Sequence, residues 1–313
     1  MLPLLSGFRK GYSSQHVLLH MMHDWHRGLD QGRYVAVVLK DLDKAFDCID
    51  HELLLAKMHM NDLMLDFSDN HVSICNYADD NTLYASSTDI TKVKQKLEKA
   101  LVFVSEWFSN NGLQLNADKC QLIVFEKARF SLVLINFNGN ILKECNNVKL
   151  FGVNFDNALS FTKHINALCK SASAKLSALR RISIFMSFDE RSIIANLFVA
   201  SETRYCPLIW SFTTRSSLAR IERVHIRTLE LCYDPTQERS VCKTMHRHYC
   251  DLLLREVFKT RNGLSPSYMQ SVFPFKETPL YNLRRGCSIM RNRIVCLLVS
   301  ASHIGSQLWD SLP

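Results

Sequence analysis

The feature that most constrains this chain is a pair of adjacent carboxylates, Asp79 and Asp80, between two short apolar segments. Residues 72–75 precede the pair and residues 82–85 follow it, a pattern that predicts two strands joined by a tight turn. Two like charges held so close repel each other unless divalent cations neutralise them. The sequence therefore predicts a hairpin whose tip carries metal-binding carboxylates.

A second carboxylate lies upstream, at the end of another predicted strand. Residues 33–40 have the composition of a buried strand and run directly into Asp41. If the two strands are neighbours in one sheet, Asp41, Asp79 and Asp80 converge and can hold two Mg²⁺ ions, the arrangement of a two-metal phosphoryl-transfer site. The alternative is a solvated turn together with an Asp that caps the following helix.

The order of predicted elements defines the fold class. A strand over residues 34–40 is followed by a helix over 50–67, the carboxylate hairpin, a helix that begins near residue 90, and a strand over 120–125. This β-α-β-β-α-β order predicts an α+β fold with a ferredoxin-like sheet. Further hairpin strands follow to residue 155, and beyond residue 157 the chain is predicted to be mainly helical.

Charge is distributed unevenly between the two halves. The formal net charge is +8, but residues 1–147 carry a net charge of −3 and residues 148–313 carry +11. This asymmetry favours a metal-binding first half and a phosphate-binding second half, against the alternative of an ordinary solvated basic surface. The candidate nucleic-acid contacts are basic residues of two predicted helices, namely Lys163, Lys170, Lys175, Arg180, Arg181, Arg220, Arg223 and Arg227.

Several motifs occur in an order that resembles one enzyme family. The segments are Asp41 to Asp47, Tyr77 to Asp80, residues 6–16, 111–120 and 148–153, and later segments at 205–210, 262–266 and 308–313. They resemble motif A, motif C, the segment ahead of motif A, motif D, the primer grip and the C-terminal region of reverse transcriptases from non-LTR retrotransposons, the LINE-type, jockey-like group. The resemblance implies a right-hand polymerase palm followed by a helical, thumb-like region.

The chain also departs from the family pattern. The endonuclease, the early fingers motifs and the glycine-containing motif B loop are not found, and only 31 residues separate Asp47 from Asp79. An internally and N-terminally truncated reverse transcriptase is therefore expected, produced by a real deletion or by an error in the gene structure. The expected regions are a truncated fingers and palm region with primer-grip strands over residues 1–157 and a basic thumb with its extension over 158–313.

The resemblance assigns roles to individual residues. Asp41, Asp79 and Asp80 are the implied catalytic ligands of two Mg²⁺ or Mn²⁺ ions. Phe46 corresponds to the ring that excludes a 2′-hydroxyl, Tyr77 to a residue near the primer backbone, and Lys119 to a proton donor for pyrophosphate. Each also has an ordinary structural explanation, as a core ring, a packed hairpin residue and a solvated lysine.

The implied partners are an RNA template, a DNA primer or target, and deoxynucleoside triphosphates. No apolar run approaches the roughly 18 residues of a membrane span. The residues before position 6 are too short for a signal-peptide core, so a nuclear or cytoplasmic location is expected. Oligomeric state is left open.

Three functions compete on this basis. The first is an RNA-directed DNA polymerase with weak or lost activity, because positioning of reactants supplies roughly 7–11 kcal/mol of a barrier and the positioning motifs are absent. The second is a non-catalytic nucleic-acid-binding remnant of a mobile element. The third is an inert relic, which predicts insoluble or protease-sensitive protein.

Overall fold

The computed structural model describes residues 6–7, 9–40, 72–77, 80–110, 116, 119–125, 133–137, 139–232, 244–274, 304 and 308–309. The chain divides into two compact units. Among the described residues, the first unit contains those up to Leu159 together with 263–272, and the second contains 160–262, 273–274, 304 and 308–309. The naming of a palm and a thumb stays a prediction.

The first unit is built around a four-stranded antiparallel sheet. In the chain, helix α1 (Ser14–Asp30) is followed by β1 (Tyr34–Lys40), β2 (Val72–Tyr77), β3 (Asp80–Ser87), helix α2 (Ile90–Asn110) and β4 (Gln121–Phe125). The strand order across the sheet is β2-β3-β1-β4. β1 is therefore central, and it pairs with β3 on one side and with β4 on the other.

Helices cover both faces of this sheet because β1 is apolar along nearly its whole length. On one face, Ala36, Val38 and Leu83 pack with Leu97 and Val104 of α2 in one buried cluster. On the other face, Trp25 of α1 is 1% exposed and its ring lies 5.0 Å from Phe125 and 5.6 Å from Phe155. A strand buried on both faces in this way fixes the position of the residues at its end.

Helix α1 begins and packs for local reasons. The Ser13 side chain caps its first turn by accepting a hydrogen bond from the His16 amide. Gly28 allows close approach to the sheet, since a Cβ there would come within 2.8 Å of the Val35 side chain. The short helix α9 (Met269–Val272) packs on α1, so residues late in the chain complete the first unit.

Two small hairpins complete the strands of this unit. β5 (Leu134–Phe137) pairs with β6 (Asn140–Lys143), and β7 (Asn147–Leu150) pairs with β8 (Val153–Asp156). The second hairpin turns through Phe151 and Gly152, both with positive φ, at 45° and 78°. Two such residues match the type I′ turn that two-residue hairpins favour, although a phenylalanine in that conformation is strained.

The second unit is helical. It contains α3 (Thr162–Ile182), a 3₁₀ turn (Ser183–Phe185), α4 (Phe188–Ile194), a π-helical turn (Ala195–Val199), α5 (Ala200–Arg204), α6 (Pro207–Trp210), α7 (Arg215–Cys232) and α8 (Met245–Arg261). Its largest buried side chain is Trp210, whose ring lies 5.7 Å from Tyr249 and whose Nε1 donates to the Tyr205 carbonyl at 3.1 Å. No helix in the described parts of the chain is long and apolar enough to cross a membrane.

The mixed α and β composition predicted from the sequence is confirmed. The strand ending at Lys40, the carboxylate hairpin, the helix after residue 89 and the strand ending at Phe125 all form at the predicted places. The two later hairpins and the helices of the second half also form. The predicted helix over residues 50–67 lies outside the described residues.

Candidate active site

The candidate site lies at the sheet edge where β1 ends and β3 begins. β2 and β3 pair in antiparallel register as far as Tyr77, which lies opposite Asp80. On the other side of β3, Asn81 pairs with Lys40, the last residue of β1. The chain neighbours of Asp41 and Asp80 are thus directly opposite each other across the sheet. Asp41, Asp79 and Phe46 themselves lie outside the described residues.

A cavity of about 220 Å³ opens at this edge of the sheet. Its lining combines strand ends with the β7–β8 hairpin and includes Leu39, Asn81, Gln121 and Phe151. Lys40, Lys119 and Lys149 also line it. Lys119 and Lys149 place exposed cationic side chains at this cavity, which attract anions such as phosphate.

Lys40 is the most unusual member of this group. Its side chain is 3% exposed, and its Nζ has no hydrogen-bond partner among the described residues. Nζ lies 5.5 Å from the centre of the Phe108 ring, a cation–π contact with α2. Burial lowers the pKa of Lys40 to about 7, and a nearby Cys120 opposes that decrease.

Tyr77, which precedes the two adjacent carboxylates, packs against the hairpin that resembles the primer grip. The Tyr77 and Phe151 rings are 5.1 Å apart and inclined by 55°. Tyr77 therefore packs on the β7–β8 turn, the interpretation that competed with a primer contact. Lys119 lies in the same region, next to the start of β4. It lines the cavity that it shares with Lys40 and Lys149, which is called the lysine cavity below.

Behind the site, a polar group ties β3 to α1. The Tyr84 hydroxyl donates to the Asp24 carboxylate at 2.6 Å, and Asp24 lies 3.8 Å from His20 on the same helix. Burial is the main cause that raises the pKa of Tyr84 well above its usual value, so its hydroxyl stays protonated. Burial also raises the pKa of the Cys75 thiol, on the strand that leads to Tyr77.

The predicted nucleic-acid contacts lie on two helices of the second unit that pack on each other. Seven of the eight are exposed: Lys163, Lys170, Arg180 and Arg181 on α3, and Arg220, Arg223 and Arg227 on α7. Lys175 differs, because it is half-buried and forms an ion pair with Glu202. Arg220 also has a local partner, since it donates to the Asn166 side chain.

The sequence analysis gave no individual role to two lysines of the cavity, Lys40 and Lys149, although Lys149 lies within the primer-grip segment 148–153. Lys40 was assigned only to a buried strand, although a lysine that ends an apolar run just before a candidate ligand is a detectable signal. Lys149 has no such signal, since it alternates with apolar residues on β7 as a solvent-facing side chain would. In the described parts of the chain, no group of three or more His, Cys, Asp or Glu side chains could hold a metal ion.

Comparison with known proteins agrees with the motifs. Residues 54–155 match the family "Reverse transcriptase (RNA-dependent DNA polymerase)". That range contains the carboxylate hairpin, α2 and both later hairpins except Asp156, the last residue of β8. The resemblance to reverse transcriptases is therefore confirmed.

Three similar proteins come from mobile elements. The RNA-directed DNA polymerase from mobile element jockey of Drosophila funebris is 24% identical over 182 residues, which cover 57% of this chain and 20% of that protein. Its Drosophila melanogaster counterpart is 26% identical over 108 residues, 34% of this chain and 12% of that protein. The Retrovirus-related Pol polyprotein from type-1 retrotransposable element R1 2 of Nasonia vitripennis is 21% identical over 237 residues, 70% of this chain and 58% of that protein.

Proposed function

Because the chain is related to the reverse transcriptases of non-LTR, LINE-type retrotransposons, we propose that it is an RNA-directed DNA polymerase fragment of such an element. The observation that carries the proposal is the strand register at the candidate site. Lys40 pairs with Asn81, and Tyr77 pairs with Asp80. Paired residues of antiparallel strands have Cα atoms roughly 4.5–5.5 Å apart, so carboxylates next to these pairs can share a cation.

The proposed catalytic group is Asp41, Asp79 and Asp80. Carboxylate oxygens are the donors that hard divalent cations such as Mg²⁺ and Mn²⁺ prefer, so the residue types fit two such ions. When bound, the ions would activate a primer hydroxyl and stabilise the leaving pyrophosphate. In this proposal the protein contributes two neighbouring strand ends, Lys40 of β1 and Asp80 of β3, from which the carboxylates would extend.

We assign the first unit to the polymerase palm. Support comes from the antiparallel order β2-β3-β1-β4, which is the strand order of a ferredoxin-like sheet, and from α2 covering one face. Phe46, Tyr77 and Lys119 are proposed to contact the incoming nucleotide and the primer end. The cavity lined by Lys40, Lys119 and Lys149 supports an anionic ligand at this edge.

The exposed basic faces of α3 and α7 are proposed to hold the template and primer. Their side chains are long, cationic and mostly exposed, as phosphate contacts require. Lys175 is the weakest member, because its ammonium is already paired with Glu202. Because the proposed template and primer are RNA and DNA, we also propose a nuclear or cytoplasmic location.

A second candidate is a non-catalytic nucleic-acid-binding remnant. It is favoured by the short internal spacing, since only 31 residues separate Asp47 from Asp79 and no glycine-containing motif B loop lies between them. A palm without its nucleotide-positioning motifs would keep charged surfaces and lose most of its rate, so we propose that polymerase activity is weak or lost.

Primer extension by the full chain separates the two candidates. The assay uses an RNA template, a DNA primer and deoxynucleoside triphosphates with Mg²⁺ or Mn²⁺. Short, metal-dependent products that disappear in D79N/D80N, and persist in the control D189N/E230Q, would support the polymerase. Salt-sensitive duplex binding without any incorporation would support the remnant. Processive synthesis would contradict the proposed impairment.

A further inference from the structure

The second unit contains a cavity that the proposed polymerase site does not use. It measures about 130 Å³ and lies among the π-helical turn, α5, α7 and α8. Its apolar lining includes Val199, Val224 and Met245, and its polar lining includes Asn196, Arg204 and His248. Asn196 and Arg204 are exposed, so they mark its opening.

The π-helical turn forms one wall of this cavity. The Ala200 amide donates to the Ala195 carbonyl, the five-residue spacing of a π-helix. Single π-helical turns inside α-helices are found frequently at functional sites.

The electrostatics at the opening favour an anion. The Arg204 guanidinium donates to Asn196 Oδ1 at 3.1 Å, which uses one of its five N–H donors. Burial lowers the pKa of His248, and the nearby Arg204, His225 and Arg255 lower it further, against the opposing charge of Asp251. Cations outnumber the one carboxylate in this group.

The interior of the cavity offers hydrogen-bond acceptors to the N–H groups of a flat ligand. Thr228 Oγ1 donates to the Val224 carbonyl at 2.8 Å, and Thr203 Oγ1 donates to the Ala200 carbonyl at 3.1 Å. Each hydroxyl hydrogen is thus committed to the helix, and each oxygen keeps lone pairs for an N–H donor. Both threonines line the cavity.

Size limits the ligand further. An enclosed cavity of about 150 Å³ holds one benzene-sized ring, so about 130 Å³ suits a single six-membered ring better than the double ring of a purine. A pyrimidine nucleotide combines a flat base, N–H donors on the edge of that base and a phosphate joined to it through the sugar.

We propose that this cavity binds one unpaired pyrimidine of a nucleic-acid strand. The base lies among Val199, Val224 and Met245, and its phosphate lies against Arg204. Unpaired bases are the usual targets of sequence-dependent RNA recognition. The site is separate from the carboxylate hairpin and requires neither metal ions nor deoxynucleoside triphosphates.

The test is fluorescence anisotropy of the full chain with labelled oligo(U) and oligo(A) of equal length, in EDTA. Wild type is expected to bind oligo(U) about tenfold more tightly, the size of effect expected from one additional hydrogen bond. Ala200→Leu fills the cavity and removes this preference. Ala174→Leu, which adds the same bulk on the exposed face of α3, retains it.

Arg204→Gln provides a second variant at an exposed position, and it is expected to weaken binding of both oligonucleotides. Thermal unfolding confirms that each variant is folded. Equal wild-type affinities, or a preference that survives Ala200→Leu, would overturn the proposal. D79N/D80N should keep the preference, so failure of primer extension and failure of this site are told apart.

Discussion

The Tyr84 hydroxyl on β3 and the Asp24 carboxylate on α1 form a 2.6 Å hydrogen bond that joins the carboxylate hairpin to its supporting helix. The tyrosine is 6% exposed, and its ring also packs edge-on against Trp25, with centroids 6.1 Å apart. A hydrogen bond to a carboxylate in such surroundings is stronger than a neutral one. The Tyr84–Asp24 hydrogen bond therefore anchors β3 to α1 at a point four residues beyond Asp80.

Tyr84→Phe is expected to lower the free energy of unfolding by about 1.5–3 kcal/mol, because the Asp24 carboxylate then loses its buried donor. Urea denaturation of Tyr84→Phe, Asp24→Asn and the double variant measures the coupling. The double variant should cost less than the two single changes together. Strict additivity would show that the two side chains do not interact.

Replacing Lys40 by methionine should stabilise the protein. The amine is buried without a hydrogen-bond partner among the described residues, and its burial lowers its pKa to about 7. Methionine fills a similar volume without that desolvation cost, so a gain of about 1–3 kcal/mol is expected in urea denaturation at pH 7. Lys149→Met, an exposed change beside the same cavity, should change stability by no more than about 0.5 kcal/mol. A destabilised Lys40→Met protein would mean that the ammonium is paired.

Stability should fall in mild acid because of buried histidines on α1. Burial lowers the pKa of His26 to about 4, and it lowers the pKa of His20 and His23 as well. The unfolded chain takes up these protons first. The free energy of unfolding is therefore highest above about pH 6.5. It decreases as the pH falls toward about 4, by roughly 3 kcal/mol for His26 alone.

The measurement is urea denaturation between pH 7.5 and pH 4.5. His26→Phe should flatten the dependence of unfolding free energy on pH, whereas His246→Phe, an exposed change on α8, should leave it as in wild type. An unchanged slope in His26→Phe would place the acid sensitivity elsewhere.

The contact between Tyr77 and Phe151 should matter for the hairpin tip more than for stability. Phe151 has a φ of 45°, where asparagine followed by glycine is preferred, so Phe151→Asn should be neutral or stabilising by about 1 kcal/mol. The same change removes the ring that supports Tyr77. Mn²⁺ binding followed by electron paramagnetic resonance should weaken several-fold, while Phe151→Tyr keeps the ring and the affinity. Equal Mn²⁺ affinities in wild type, Phe151→Asn and Phe151→Tyr would show that this contact does not influence metal binding by the carboxylates.

Local patterns predicted the elements well because each had a local cause. Apolar residues recur every three or four positions on α2 and form an unbroken run in β1, and these patterns specify the two elements without reference to the rest of the chain. The register of Lys40 with Asn81 could not be read in the same way, since strand pairing depends on which residues the whole sheet buries. The lysine cavity was missed for a related reason, because Lys40 and Lys149 are more than 100 residues apart.

The packing of α9 on α1 was also beyond a local pattern. Ser6 and Tyr268, whose hydroxyls lie 3.0 Å apart, belong to opposite ends of the chain. The π-helical turn is a further case, since residues 195–199 have the composition of an ordinary helix. Only the packing around the cavity distinguishes it.

Binding of duplex DNA should depend on the exposed arginines of α7. Each phosphate contact that is lost reduces the slope of log affinity against log salt by about 0.9, because fewer counterions are released. Arg223→Gln/Arg227→Gln should therefore give a slope less steep by nearly two, with affinity reduced most at low salt. Arg220→Gln should have a smaller effect, because that side chain is already bonded to Asn166.

The matched control is Lys92→Gln/Lys99→Gln, which removes the same charge from exposed positions of α2 in the other unit. If affinity depended only on net charge, both double variants would lose the same slope. We expect the α2 variant to bind as wild type does, because a localised contact surface on α7 is the basis of the proposed nucleic-acid interface. Equal losses of slope in the two double variants would indicate diffuse attraction to the whole basic chain instead of a localised surface on α7.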